Sequence, residues 1–249
     1  IEKYLDNTPA GFGHPCSNRQ VWDQLLLSGR YNSFLRSMRG YKMPPFSKED
    51  YFSLSEGTES SSGKGLTMMR KRAEGLSKLT WAECLENKNQ YTKRIEEALR
   101  DLIQQKSWTS PRSDHGFKNY NGIAYSVELT SSLYAHTIAQ TLYLMGDKIP
   151  ADLRKLALDA LYIRIFNPVL EKFKSNNTES EKGFLTDMNN WNHVCLAGLV
   201  GAALTTIQSK EERAKFIAIG EYYSRNGLQG FGDDGYCGEG VVYFSYGFG

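Results

Sequence analysis

Along most of this chain apolar residues recur at spacings of three and four, the pattern of a helix with one face turned inward. The clearest instance lies at 89–105. There Ile95, Leu99, Leu102 and Ile103 fall on one face, and Glu96, Glu97, Arg100 and Asp101 fall on the other. Leu129, Leu133, His136 and Gln140 continue the pattern in a helix expected to stop near Met145-Gly146, because glycine readily ends a helix. Asn18 is placed to cap a helix carrying Val21, Leu25 and Leu26. Further helices are expected at 64–79, after the loop Ser60-Ser61-Ser62-Gly63, and at 151–166, framed by Pro150 and Pro168. Two more follow at 191–207 and 211–223, and a last apolar run lies at 241–244. Alternating apolar and polar residues are scarce, so the pattern predicts an all-α protein of helical hairpins and no strand. Residues 107–125 and 175–190 lack helical signal, and loops of that length inside a domain are commonly functional.

Composition narrows the class. With 249 residues, 40% hydrophobic and 23% charged, the chain is globular and long enough to bury a large core. A net charge of +2 offers no argument for a nucleic-acid partner. The longest apolar stretches fall well short of the roughly 20 residues of a membrane span, so none is expected. Residues 64–106 carry a basic excess and residues from 179 onward an acidic one, which solvated helix faces explain. Cys16, Cys84, Cys195 and Cys237 form no Cys-x-x-Cys pair, which argues against a zinc ribbon, a thioredoxin-type site and a dense disulfide framework; their even count permits a disulfide, but small buried hydrophobes are the expectation. The run from Gly57 to Gly65 mimics a phosphate loop, but its spacing is one residue too long and Gly65 replaces the Ser or Thr. The Gly-Phe-Gly pairs at 11–13 and 230–232 lack the third glycine of a dinucleotide site, and Asp233-Asp234-Gly235 offers too few oxygen ligands for an EF-hand. Neither a metal nor a cofactor is expected.

Candidate chemistry gathers in the last third. Asn189, Asn190, Asn192 and His193 open the helix at 191–207, where the positive end of the helix dipole favours an anionic group. The plainer alternative is that one Asn caps the helix and His193 packs in the core. Tyr243 and Tyr246, three apart in a helix starting near Gly240, share a face. Two phenols beside a His and an Asn cluster make an acid–base set; aromatic packing is the simpler account.

Asn-Asn-Trp-Asn-His-Val-Cys before a Gly/Ala-rich helix, then Asp-Gly-Tyr-x-x-Glu-Gly-x-x-Tyr-x-x-Tyr-Gly, resembles the heparinase II/III-like polysaccharide lyases. That superfamily includes oligoalginate lyases and, more remotely, the dermatan sulfate epimerases. Trp108-x-x-Pro111, Asn119 and Glu128 look like the family's entry segment, and the resemblance covers about residues 85–249. It implies an incomplete (α/α) toroid followed by a β-sandwich, with this chain ending inside the catalytic domain. On that basis 1–80 is an N-terminal helical segment and 81–249 a partial toroid. The implied activity is β-elimination on a uronic-acid polysaccharide, in which donors neutralise the carboxylate, a base removes the C5 proton and an acid protonates the leaving oxygen. The resemblance assigns catalysis to Asn192, His193 and Tyr246, with Tyr243 the alternative tyrosine one helical turn earlier. It assigns substrate binding to Asn189, Asn190, Trp191, Glu239 and Tyr243, with His115 added from the long loop. It also implies an anionic polysaccharide or oligosaccharide partner and a periplasmic or secreted location. Two alternatives stay open. One is a glycoside hydrolase using Asp187 and Glu239, or Asp233 and Asp234. The other is a non-catalytic binder stacking sugars on Trp191, Tyr243 and Tyr246.

Overall fold

A computed structural model describes residues 1–53, 64–174 and 179–248. The loop at 60–63, the Gly57-to-Gly63 part of the phosphate-loop mimic and residues 175–178 lie outside the described residues. Helices α1 (Arg19–Leu27), α2 (Asn32–Arg39) and α3 (Lys48–Phe52) precede the long α4 (Lys64–Glu86). They are followed by α5 (Thr92–Gln104), α6 (Leu129–Met145), α7 (Ala151–Leu161), α8 (Asn167–Lys174), α9 (Asn190–Thr206), α10 (Lys210–Leu228) and α11 (Val241–Phe248). The protein is all-α. Among the described residues there is no strand, only an isolated antiparallel bridge between Phe231 and Cys237.

Local chemistry sets the helix starts. Glu128 caps α6 by accepting from the Thr130 and Ser131 backbone N–H groups, while Ser131 accepts from the Glu128 N–H in return. Ser209 caps α10, and Glu211 and Glu212 in its first turn complement the dipole. Pro168 does not end the chain's path as a helix. The π-type turn Tyr162–Phe166 lies just before it, and α8 runs on through it. A wider turn accommodates a ring that lacks an N–H and would otherwise crowd the carbonyl of Arg164.

The most extensive packing joins helices that are not neighbours in sequence, α6 with α9 and α4 with α6. α6 lies between α4 and α9, and α9 in turn contacts α10 and α11, giving a row that positions the site. α5 lies against α4 and α7, with Ile95, Leu99, Leu102 and Ile103 buried as the periodicity predicts. α6 and α9 come close where small residues meet, Ser132 on one and Gly198 on the other. One core runs from Cys16 to Tyr223, and α4 passes without a break through residue 80, where the sequence reading divided the chain.

Two expectations need correction. Cys16 and Cys84 are not separate buried hydrophobes; they form a disulfide that ties the N-terminal segment to the end of α4. Beside it, Arg19 donates to the carbonyls of Cys16, Cys84 and Leu85. Cys195 and Cys237 are free thiols. Secondly, the stripe Leu129, Leu133, His136 and Gln140 is not the core face of α6. These four are partly exposed in a helix whose other residues, Tyr143 apart, are buried, and they line a cleft.

Candidate functional site

The cleft has two adjoining lobes bounded by α4, α6, α9 and α11. One, of about 1030 Å³, is lined by Leu133, His136, Gln140 and His193, among others. The other, of about 910 Å³, takes Arg112, His115, Glu128, Asp187, Trp191 and Tyr243. Arg70, Leu129 and Tyr246 line both, so the phenol of Tyr246 and the guanidinium of Arg70 stand at the waist where the lobes meet.

The Asn cluster is divided by its geometry. Asn189 caps α9, its side-chain oxygen accepting from the Trp191 N–H at 2.9 Å. Asn190 is clasped by Glu239, whose carboxylate accepts from the Asn190 backbone N–H at 2.7 Å and from its side-chain amide at 2.8 Å. The positive end of α9, expected to receive an anionic group from outside, is therefore already occupied by the protein's own carboxylate. Asn192 is fully enclosed. Its amide donates to the carbonyls of Phe184 and Leu185 at 3.1 and 3.0 Å, while its Oδ1 has no hydrogen-bond partner among the described residues. Asn192 thus anchors the turn at Glu179–Thr186 instead of facing the cleft.

His193 does reach the cleft. Its Nε2 lies 2.9 Å from the Ser224 carbonyl, an acceptor only, so Nε2 carries the proton and the lone pair of the neutral ring is on Nδ1. Gly227 makes room for this. A β-carbon there would stand 2.6 Å from His193 Nε2 and 2.9 Å from Asn192 Oδ1. Tyr243 and Tyr246 share a face of α11, as their spacing requires, and Trp191 is half-buried at the second lobe. His115 is exposed on the 107–125 loop at the rim of the same lobe. Asp233 and Asp234 are exposed and do not line either lobe, and Glu239 is committed to Asn190.

Burial governs the electrostatics. It raises the Tyr246 phenol above its ordinary value of 10.0, with Arg70 pulling the other way and Cys195 and Glu128 adding to the rise. At neutral pH this phenol holds its proton. Burial also raises Asp187 and Glu128, the latter despite the N–H donors of Ser131, Ser110 and Thr130, and it lowers His136. The Cys195 thiol is pushed well up by its enclosure, which leaves it inert as a nucleophile.

Arg70, Arg112, His136 and Gln140 belong to the cleft but not to the residues picked out from sequence. The basic run Arg70-Lys71-Arg72 was the available signal for the first, and it reads equally well as a solvated helix face. Two polar side chains one turn apart in an otherwise apolar stripe were the signal for His136 and Gln140. Among the described residues no group of three His, Cys, Asp or Glu side chains is placed to hold a metal ion, and no helix is long and apolar enough to cross a membrane.

Fold and site together define an all-helical protein with a large cleft lined by aromatic, histidine and arginine side chains. Comparison with protein-family models finds no match for this chain, and comparison with curated proteins finds none.

Proposed function

We propose that the protein acts on uronic-acid-containing anionic polysaccharide by β-elimination, its helices forming part of an (α/α) toroid. The observation that carries this reading is the position of Tyr246 and Arg70 at the waist of the cleft, with His193 on one lobe. The guanidinium of Arg70 is the cation suited to the substrate carboxylate, a role the sequence reading gave to Asn192. With that charge neutralised, a base removes the C5 proton, the C4–O bond breaks, and its former C–H electron pair becomes the C4–C5 double bond. A protonated Tyr246 supplies the proton that the leaving oxygen needs, and the imidazole of His193 is the proton acceptor. Trp191 and Tyr243 offer stacking faces to neighbouring sugar rings. The disulfide Cys16–Cys84 favours an oxidising compartment, in keeping with a periplasmic or secreted location.

A second reading rests on a specific pair. Glu128 and Asp187 line the same lobe, and burial raises both carboxyls, as a hydrolytic acid requires. One experiment separates the readings. The protein is incubated with alginate, heparan sulfate, chondroitin and hyaluronan, and the ultraviolet absorbance of an unsaturated uronate is followed. Absorbance that appears with the wild type and falls on the order of 10²–10⁴-fold in Tyr246→Phe is the expected result. New reducing ends without absorbance indicate hydrolysis, and binding without product indicates a carbohydrate-binding protein. Full elimination activity in Tyr246→Phe overturns the role given to the phenol.

A further inference from the structure

A separate cavity of about 500 Å³ lies across α4 from the cleft and shares no lining residue with it. Arg70 and Arg72 explain the separation. Two positions along a helix are turned by about 200°, so one arginine faces the cleft and the other this cavity. Three cations line the cavity, Lys48, Arg72 and Lys106, against one carboxylate among its described lining, Asp101. Arg72 is only 4% exposed. Its Nη1 donates to the Pro44 carbonyl at 2.7 Å, but its Nε has no hydrogen-bond partner among the described residues. Its Nη2 lies 3.6 Å from Asp101, whose side chain is 59% exposed. A guanidinium this deep is costly without a close counter-charge, and a solvated carboxylate at that distance supplies little of one.

The aromatic walls complete the recognition chemistry. Arg72 stands over the Phe46 ring at 5.8 Å, and Lys106 over the Tyr120 ring at 5.1 Å. Ser47 and Gln104 add hydroxyl and amide groups beside them. We infer that this cavity binds a single hexuronate, the carboxylate taken by Arg72 and Lys106 and the hydroxyls met by Ser47 and Gln104. Cations alone suit any small anion. The hydroxyl of Ser47 and the amide of Gln104 beside them select a hydroxylated ligand that carries one carboxylate.

The test is a titration of the whole chain with glucuronate, followed by calorimetry and by NMR shifts, with glucose and inorganic sulfate as controls. Arg72 is buried and its loss endangers folding, so the variants are the exposed Lys106→Ala and Lys48→Ala. Saturable glucuronate binding that weakens about tenfold or more in Lys106→Ala, and persists in Arg70→Ala, supports the inference. Persistence in Arg70→Ala also makes the result independent of the reaction assigned to the cleft. Absence of saturable binding overturns it, as does an affinity indifferent to both lysines. Sulfate or glucose binding as tightly as glucuronate overturns the ligand class.

Discussion

Gly198 of α9 rests directly on Ser132 of α6: a β-carbon on Gly198 would lie 2.6 Å from the Ser132 carbonyl oxygen and closer still to its Oγ. Ser132 also donates to the Cys195 carbonyl at 3.1 Å, so the contact is both steric and polar. Gly198→Ala is expected to destabilise the protein by about 2 kcal/mol, the overpacking cost exceeding the roughly 1 kcal/mol gained in helix propensity. Thermal unfolding should show a loss of about 4–8 °C. Adding Ser132→Ala should recover only part of it, because the backbone carbonyl remains. An unchanged melting temperature in Gly198→Ala means that the two helices part at no cost.

Asn192 offers a test that separates anchoring from chemistry. Removing its amide leaves the Phe184 and Leu185 carbonyls short of a donor, although Asn226 still donates to Leu185. Asn192→Ala should therefore cost about 1–3 kcal/mol in unfolding free energy. At a temperature where the variant stays folded, its kcat on a cleaved polysaccharide should fall by less than about tenfold, in contrast to Tyr246→Phe. A large kcat loss with undiminished stability returns Asn192 to the catalytic group.

Glu128 predicts a pH dependence. Burial raises its folded pKa above the ordinary 4.5, so the folded protein retains this proton to a higher pH than the unfolded chain does. Between 4.5 and the raised value the native state binds more protons, and stability falls as pH rises. Glu128→Gln keeps an oxygen for the three N–H donors that converge on Oε1 and removes the titration. The stability of wild type relative to Glu128→Gln should therefore decline as pH rises above 4.5, measured by urea unfolding across the series. A rising or flat difference contradicts this.

The disulfide closes a loop of 68 residues, for which chain entropy predicts a contribution of about 4 kcal/mol. Reduction, or the Cys16→Ser and Cys84→Ser double variant, should lower the melting temperature by on the order of 10 °C. Arg19, which donates to the carbonyls of Cys16, Cys84 and Leu85, should hold the segment partly in place, so Arg19→Ala in the reduced protein should bring a further loss. If reduction leaves the melting curve unmoved, the loop is constrained by packing alone.

Amphipathic helices were legible in the chain, and helices buried on most sides were not. α5 has a clear wet side, so Ile95 and Leu102 could be assigned inward from spacing alone. α6 is buried nearly all round, with small polar residues such as Ser132 and Thr137 on its enclosed sides, and its stripe from Leu129 to Gln140 is the face left open to the cleft. Periodicity detects a difference between faces, and it cannot tell which of two apolar faces meets a neighbour. Tyr246, Tyr243 and Trp191, singled out from the sequence, line one lobe of the cleft together. The division of labour among Asn189, Asn190 and Asn192 was beyond the sequence, because it depends on Glu239 folding back from 49 positions away and on the carbonyls at 184 and 185. The same holds for Cys16 and Cys84, whose pairing is fixed by where α1 docks on α4.

α4 has a cavity on each flank. Its 23 residues span about 35 Å, its C-terminal end is clamped by the disulfide and Arg19, and Arg70 and Arg72 point to opposite sides near its other end. The helix is thus a shared partition, one wall of the cleft through Arg70 and one wall of the smaller cavity through Arg72.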